Sequence, residues 1–388
     1  MERIMRIGIF IDTYFPMIDG VVMCVDNYAK YLASRADVTV FTTVVDRDYE
    51  DDRPYRVVRC RSLPVPGQDY VVPVPVADPQ FLEDLNHSKL DIVHINSPFT
   101  VGMAGMRYAR RKGIPMVATM HSQFQTDFKR ALRAEPLVDL ALDEIMKVFD
   151  SADEVWVPNS AVGRVYKDYG GAREPKVRPN ATDMQPVSDV AGARARVNER
   201  YGVDDNESVF LFVGRLVLHK NIIFIAEALA ELKKLTDRPF KMLFVGAGPD
   251  EGALRDKIAE SGMEENVILT GRVTDREQLA ELYSRADLFL FPSLYDANSL
   301  VQIEAASQHT PTVFLSGAVT SATAEDGVSS FFAENEPKAY AEKLLEAVSD
   351  GALLKRVSDG AYRDVYRSWD DVISGMLADY RRLIKENR

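Results

Sequence analysis

A chain of 388 residues with 47 Lys and Arg against 59 Asp and Glu carries a formal charge of −12, which argues against general nucleic-acid binding, because gripping phosphates needs a basic face. Its 46% hydrophobic and 27% charged residues make a soluble globular composition, and its length suits two domains better than one core. Cys24 and Cys60 are too few for a disulfide framework or a zinc site, and neither a membrane-spanning apolar run nor a signal-peptide pattern is present, so a cytoplasmic protein is expected.

Short β-branched and aliphatic runs alternate with helical patterns from the start, the signature of parallel sheets covered by helices. The first series predicts strands at residues 6–11, 38–43, 56–60, 91–95, 116–121 and 154–158. Most are continuous apolar runs, as expected of strands buried on both faces. Residues 64–79 hold five prolines and read as an extended loop. A break with Pro179 and Pro186 falls near residues 177–187. The second series predicts strands at 209–214, 241–246, 266–271, 287–291 and 312–315, with helices at 222–234, 250–261, 276–285 and 300–308. The closing pattern, residues 370–385, is amphipathic through Val372, Ile373, Met376, Leu377, Tyr380 and Leu383. The expected fold is therefore α/β, with two doubly wound halves. Residues 1–185 hold 23 basic against 26 acidic residues, so the first half is nearly neutral and the second carries most of the negative charge.

Ligands of open parallel sheets bind beyond the carboxyl ends of the strands, and several strand ends carry suitable chemistry. The first leads through Asp12 to Asp19 and Gly20, where glycine either admits a phosphate or simply makes the turn. The fifth ends at His121, either a ligand contact or a locally satisfied histidine. In the second half, Arg215 and Lys220 lie on one strand-to-helix loop, where a guanidinium, an ammonium and a helix N-terminus would suit a diphosphate. The plain alternative is a pair of exposed basic side chains. Arg272 and Val273 end another strand, with backbone groups able to read the edge of a base. Finally, residues 291–311 read FPSLYDANSLVQIEAASQHTP and place Asp296 and Glu304 eight residues apart around a helix start. Either they read hydroxyls of an anionic ligand held at that helix start, or Asp296 is a helix-start acid and Glu304 a solvated one.

The stretches VGRLVLHKN, VGAGPDEGAL, LTGRVTDREQLAELYSRADLFLFPS and DANSLVQIEAA, in this order, resemble the C-terminal half of the family 4 retaining glycosyltransferases of GT-B architecture. MRIGIFIDTYFPMIDGVV, DIVHINSPFTVG, VATMHSQFQTDF and VPNS followed by VRPNATD resemble its N-terminal half, and the whole looks closest to bacterial enzymes that glycosylate diacylglycerol. The resemblance implies two Rossmann-like domains facing a central cleft: an acceptor domain at 1–182, a donor domain at 183–369, and a C-terminal helix at 370–388 returning to the first. It implies that Arg215 and Lys220 bind the donor diphosphate, that Gly20 closes over it, and that Glu304, the second acid of the family's E-x7-E pattern, holds the ribose. Asp296 would hold a hydroxyl of the donor sugar and His121 would contact that sugar. The backbone near Arg272 and Val273 would hold the base, with Asn298, Ser299 and Leu300 completing the donor site. No metal cofactor is implied, the two basic residues supplying the positive charge for the leaving group.

Three positions depart from the pattern. The first acid is Asp296 instead of Glu, Asn298 and Ser299 replace an aromatic and a glycine, and Asn-Gly-x-Asp is here Asn180-Ala181-Thr182-Asp183. The implied reaction is retaining transfer of a hexose, glucose favoured, from a UDP-sugar to an acceptor hydroxyl of a lipid or glycan. Two other classes are a GT-B nucleotide-sugar epimerase or hydrolase and a non-catalytic nucleotide-sugar-binding protein. For a lipid acceptor at the inner face of the plasma membrane, Arg107, Arg110, Arg111 and Lys112, together with Lys129, Arg130 and Arg133 beside Leu132, Leu137, Leu140 and Leu142, offer a basic and apolar face. The competing reading is a helix packed on its own domain with solvated basic residues.

Overall fold

The computed structural model describes residues 4–46, 48–64, 71–132, 134–294 and 296–387. The chain runs through β1 (Arg6–Phe10), β2 (Asp37–Thr43), β3 (Arg56–Cys60), β4 (Ser62–Pro64), β5 (Val71–Pro73), β6 (Ile92–Ile95), β7 (Met116–Thr119), β8 (Glu154–Val157) and β9 (Lys176–Val177). All but β4 and β5 form one sheet ordered β3-β2-β1-β6-β7-β8-β9, parallel throughout. The second half contributes β10 (Ser208–Val213), β11 (Phe240–Val245), β12 (Val267–Gly271), β13 (Leu288–Phe291), β14 (Thr312–Leu315) and β15 (Ser330–Ala333). These form a second parallel sheet ordered β12-β11-β10-β13-β14-β15. Each sheet starts in its middle, winds to one edge and returns to the other side, so the strand order reverses between β1 and β6 and again between β10 and β13. Those two points are where such sheets open a crevice for ligands.

The stretch at 64–79, expected to be an extended loop, is more structured than that. Pro64 and Pro73 lie in the antiparallel β4/β5 hairpin, a short turn of 3-10 helix covers Pro75–Ala77, and a helix begins at Pro79. Proline is tolerated at all these places, on two-stranded edges and in a first helical turn, where no backbone donor is needed. Residues 65–70 lie outside the described ones.

The chain divides into two units, Met1–Asn180 with Trp369–Arg388, and Ala181–Ser368. The sequence-based division after residue 182 lies two residues beyond this break, and Trp369 goes with the closing helix. That helix, Trp369–Glu386, buries Val372, Ile373, Met376, Leu377, Tyr380 and Leu383. Tyr380 stacks on Trp156 with ring centroids 5.5 Å apart, and its hydroxyl meets His94 Nδ1 at 2.7 Å. His94 Nε2 in turn meets the Thr119 hydroxyl at 2.6 Å. Asp379 of the same helix accepts from Lys176 at 2.6 Å and from Arg178. The helix is thus a structural member of the first unit.

Asp12, just beyond β1, is buried and spoken for. Its carboxylate accepts from Ser97, Thr100 and the backbone N–H of Val101, fastening β1 to the start of the helix Thr100–Lys112. Burial raises its pKa above the ordinary carboxylate value, against those hydrogen bonds, which lower it. In the second unit, Gly246 has φ +144°, and a Cβ there would lie 1.9 Å from the carbonyl oxygen of Gly214. The ends of β10 and β11 approach more closely than any side chain allows, which accounts for glycine at this point without a ligand.

Candidate active site

Of the donor-binding candidates, Arg215, Lys220, Asp296, Asn298, Ser299 and Leu300 lie on the two loops where the strand order of the second sheet reverses, whereas Arg272 and Val273 follow the edge strand β12. β10 leads through Gly214 and Arg215 into a 3-10 turn, Leu218–Lys220, then Asn221 in the left-handed region at φ 63° and the helix Ile222–Leu235. Its neighbour β13 leads into Pro292 and the loop before the helix Leu300–Ser307. Asn221 ties the two loops together by donating from Nδ2 to the Pro292 carbonyl at 3.2 Å. Across this tie, Lys220 Nζ donates to both carboxylate oxygens of Asp296 at 2.9 Å each. It also lies 5.5 Å from the centroid of the Phe291 ring, and the Ser293 hydroxyl donates to Asp296 Oδ2 at 2.7 Å. Lys220 and Asp296, assigned to different parts of the donor, are therefore partners of one another. Arg215 is exposed and makes no ion pair or hydrogen bond with a described residue.

The helix Leu300–Ser307 begins after Ser299, whose side chain does not cap it. Its first-turn N–H groups thus have no side-chain acceptor at the N-cap, which suits an anionic ligand. Asn298 accepts at Oδ1 from Gln302 Nε2 at 2.6 Å, and Gln302 also donates to Thr323 at 3.2 Å. Arg272, exposed, and Val273, half-buried, follow β12 in the loop before the helix Arg276–Arg285.

Glu304 is not a solvated helix residue. It is 8% exposed, accepting from Arg276 Nη1 at 2.7 Å and from the Tyr283 hydroxyl at 3.2 Å. Burial, with Glu304 as the next cause, holds the Tyr283 hydroxyl well above the ordinary phenol pKa. Neither partner was among the residues read from the sequence. Arg276 nevertheless left a signal: a cation in the first turn of a helix opposes the helix dipole, and needs a carboxylate to hold it there.

His121 and Gly20 belong to the first unit. His121 follows β7, is buried, and its Nε2 meets Asn96 Oδ1 at 2.9 Å. Burial pushes it down to about 4, so it is neutral near pH 7. Gly20 opens the helix Gly20–Ala33 with no positive φ, and no atom lies within 4 Å of where a Cβ would stand. The turn does not require glycine. The N–H groups of Val21 and Val22 are already taken by Asp19 at 2.8 Å. Of the basic and apolar face, Arg107, Arg110, Arg111 and Lys112 are exposed on the helix Thr100–Lys112, Leu132 at the end of the helix Phe124–Leu132, and Leu137 and Leu140 on the helix Glu135–Asp150. Leu142 is buried, the exposed leucines of the helix Glu135–Asp150 are flanked by Asp139, Asp143 and Glu144, and Arg133 lies outside the described residues. Among the described residues no three His, Cys, Asp or Glu side chains converge on a metal position, and no helix is long and apolar enough to cross a membrane.

Two doubly wound parallel-sheet units are the architecture of the GT-B glycosyltransferases. The chain belongs to the family-4-like enzymes of that class: residues 18–185 match the model of Glycosyltransferase Family 4, and residues 194–364 that of Glycosyl transferases group 1. It is 26% identical over 346 residues to the alpha-monoglucosyldiacylglycerol synthase of Acholeplasma laidlawii, covering 86% of each chain. To the enzyme of the same name from Streptococcus pneumoniae it is 25% identical, over 80% of this chain and 70% of that one. Among solved structures, Anabaena HepE in complex with UDP and glucose superposes with a TM-score of 0.75 at 18% identity, over 97% of this chain and 99% of the other.

Proposed function

We propose that the protein transfers a hexose, glucose favoured, from a UDP-sugar to an acceptor hydroxyl with retention at the anomeric carbon and without a metal cofactor. The observation that carries this is the concentration of cationic and donor groups at the β10/β13 reversal: Lys220, unpaired Arg215 and the uncapped start of Leu300–Ser307. Such groups stabilise charge as it develops on a departing diphosphate. Arg272 and Val273 would flank the base, Glu304 the ribose, and Asp296 and Asn298 the sugar, with Ser299 and Leu300 offering backbone N–H groups to phosphate.

His121, neutral, would meet the sugar as a hydrogen-bonding group, and Gly20 would close over the diphosphate. In the transfer step the bond between the anomeric carbon and the β-phosphate oxygen breaks, the acceptor oxygen bonds to that carbon from the same face, and its proton passes to the leaving phosphate oxygen. No protein nucleophile is required.

A diacylglycerol-type lipid is the favoured acceptor. The two relatives compared are synthases of monoglucosyldiacylglycerol by name, and the exposed Arg107, Arg110, Arg111 and Lys112 suit an anionic membrane surface. The test is UDP release from UDP-glucose with and without vesicles containing diacylglycerol and an anionic lipid. Release that requires the vesicles, with a glucosylated lipid as product, is the expected result. Release independent of any acceptor would make the protein a hydrolase or epimerase, and binding without release a non-catalytic one.

A further inference from the structure

Glu304 is the acid on which the ribose reading leans, and its carboxylate is clamped from both sides. Oε1 accepts from Arg276 Nη1 at 2.7 Å and Oε2 from the Tyr283 hydroxyl at 3.2 Å. The other arm of the same guanidinium, Nη2, donates to Asp183 Oδ1 at 2.7 Å. Three segments meet here: Asp183, three residues past Asn180; the first turn of the helix Arg276–Arg285; and the middle of the helix Leu300–Ser307.

Exposure differs along this chain of groups. The Glu304 side chain is 10% exposed, while those of Arg276 and Asp183 are 49% and 42% exposed. Asp183 and Arg276 line a pocket of about 410 Å³ that also includes Arg196 and Glu281. A carboxylate needed only to neutralise Arg276 has no use for a second, buried donor on its other oxygen. Two donors from different directions fix the plane of the carboxylate and leave acceptor capacity on each oxygen, as a reader of two adjacent hydroxyls requires.

We propose that Arg276 is a positioning residue of the nucleotide site: anchored by Asp183, it sets the plane of Glu304 so that both ribose hydroxyls are read at once. The proposal rests on the ribose reading of Glu304 and adds to it. Arg276 touches no reacting atom. A lysine keeps the charge but lacks the planar fork that reaches two carboxylates in fixed directions.

The measurement is calorimetry of UDP and 2′-deoxy-UDP with the full-length wild type and with Glu304→Ala, Arg276→Lys and Asp183→Asn. The wild type should prefer UDP about tenfold, the value of one hydrogen bond to a charged group. Glu304→Ala should erase the preference, Arg276→Lys should reduce it to about twofold, and Asp183→Asn to an intermediate ratio, since weakening one anchor loosens the same fork. The ratio separates positioning from stability, because a merely destabilised protein loses binding of both nucleotides alike. A wild type that does not discriminate overturns the ribose reading and the proposal with it. A wild type that discriminates through Glu304 while Arg276→Lys keeps the full ratio overturns the proposal alone. If Arg276→Lys does not fold, Asp183→Asn decides, and an unchanged ratio there overturns it.

Discussion

Replacing Asp296 by Asn should tighten the binding of UDP while slowing transfer from the UDP-sugar. Lys220 Nζ is shared evenly by the two Asp296 oxygens at 2.9 Å, with the side chains only 17% and 19% exposed, so solvent screens the pair weakly. A diphosphate that uses Lys220 must take it from Asp296 or accept that carboxylate close to its own negative charge. Hydrogen bonds involving charged groups contribute about 1.5–3 kcal/mol. Relieving the lower end of that range corresponds to roughly tenfold tighter UDP. Asparagine still accepts from Ser293 Oγ, which holds aspartate at 2.7 Å, so the loop keeps its local tie. Calorimetry with UDP reads the affinity directly, free of any sugar contact, and steady-state release from UDP-glucose reads the transfer, expected to fall about tenfold for one lost hydrogen bond to a charged group. UDP affinity that is unchanged or weaker in Asp296→Asn would refute the reasoning.

Other expectations follow from the same geometry. If Arg215 meets the leaving diphosphate as proposed, Arg215→Ala should lower kcat by about two orders of magnitude, since one such donor is worth about 3 kcal/mol; unchanged turnover would remove Arg215 from the mechanism. Tyr380→Phe strips His94 Nδ1 of its partner inside the first unit and should cost about 1–3 kcal/mol, seen by calorimetry as a lower melting temperature of that unit. Acid should weaken the fold through His94 and His121, which burial pushes down to about 3 and about 4. Both stay neutral when folded but take up a proton near pH 6.5 when unfolded. Stability is therefore held above pH 6.5 and lost as pH falls from there toward the folded values, by about 2 kcal/mol per histidine between pH 7 and pH 5. Urea titrations of the wild type and of His94→Gln at the two pH values check the slope, which should be shallower in the variant.

The strands that build both sheets were legible because burial on two faces leaves continuous apolar runs, such as Ser208–Val213 and Thr312–Leu315. The last helix was legible because its apolar residues repeat at helical spacing. β15 was missed although Phe331 and Phe332 lie in it, since Ser330–Ala333 is too short to show a pattern. The hairpin at Ser62–Pro64 and Val71–Pro73 was hidden by its prolines, which signal a loop unless the edge position is known. In the site, residue types and order pointed to Lys220, Asp296 and Glu304, but not to the pairing of the first two nor to the partners of Glu304. The Lys220–Asp296 pair spans 76 positions and the Arg276–Asp183 pair 93. Local spacing cannot announce such pairings, because only the tertiary fold brings those segments together.

The placement of Trp369–Glu386 within the first unit bears on how the protein is made. A ribosome delivers residues 4–180 long before Trp369, Tyr380 and Asp379, so the nascent first unit emerges with the faces of Tyr28, His94 and Trp156 still lacking their aromatic cover. The second unit is one continuous stretch, Ala181–Ser368, and has all its own strands before translation ends. During synthesis, then, the half that begins first is the half that finishes last.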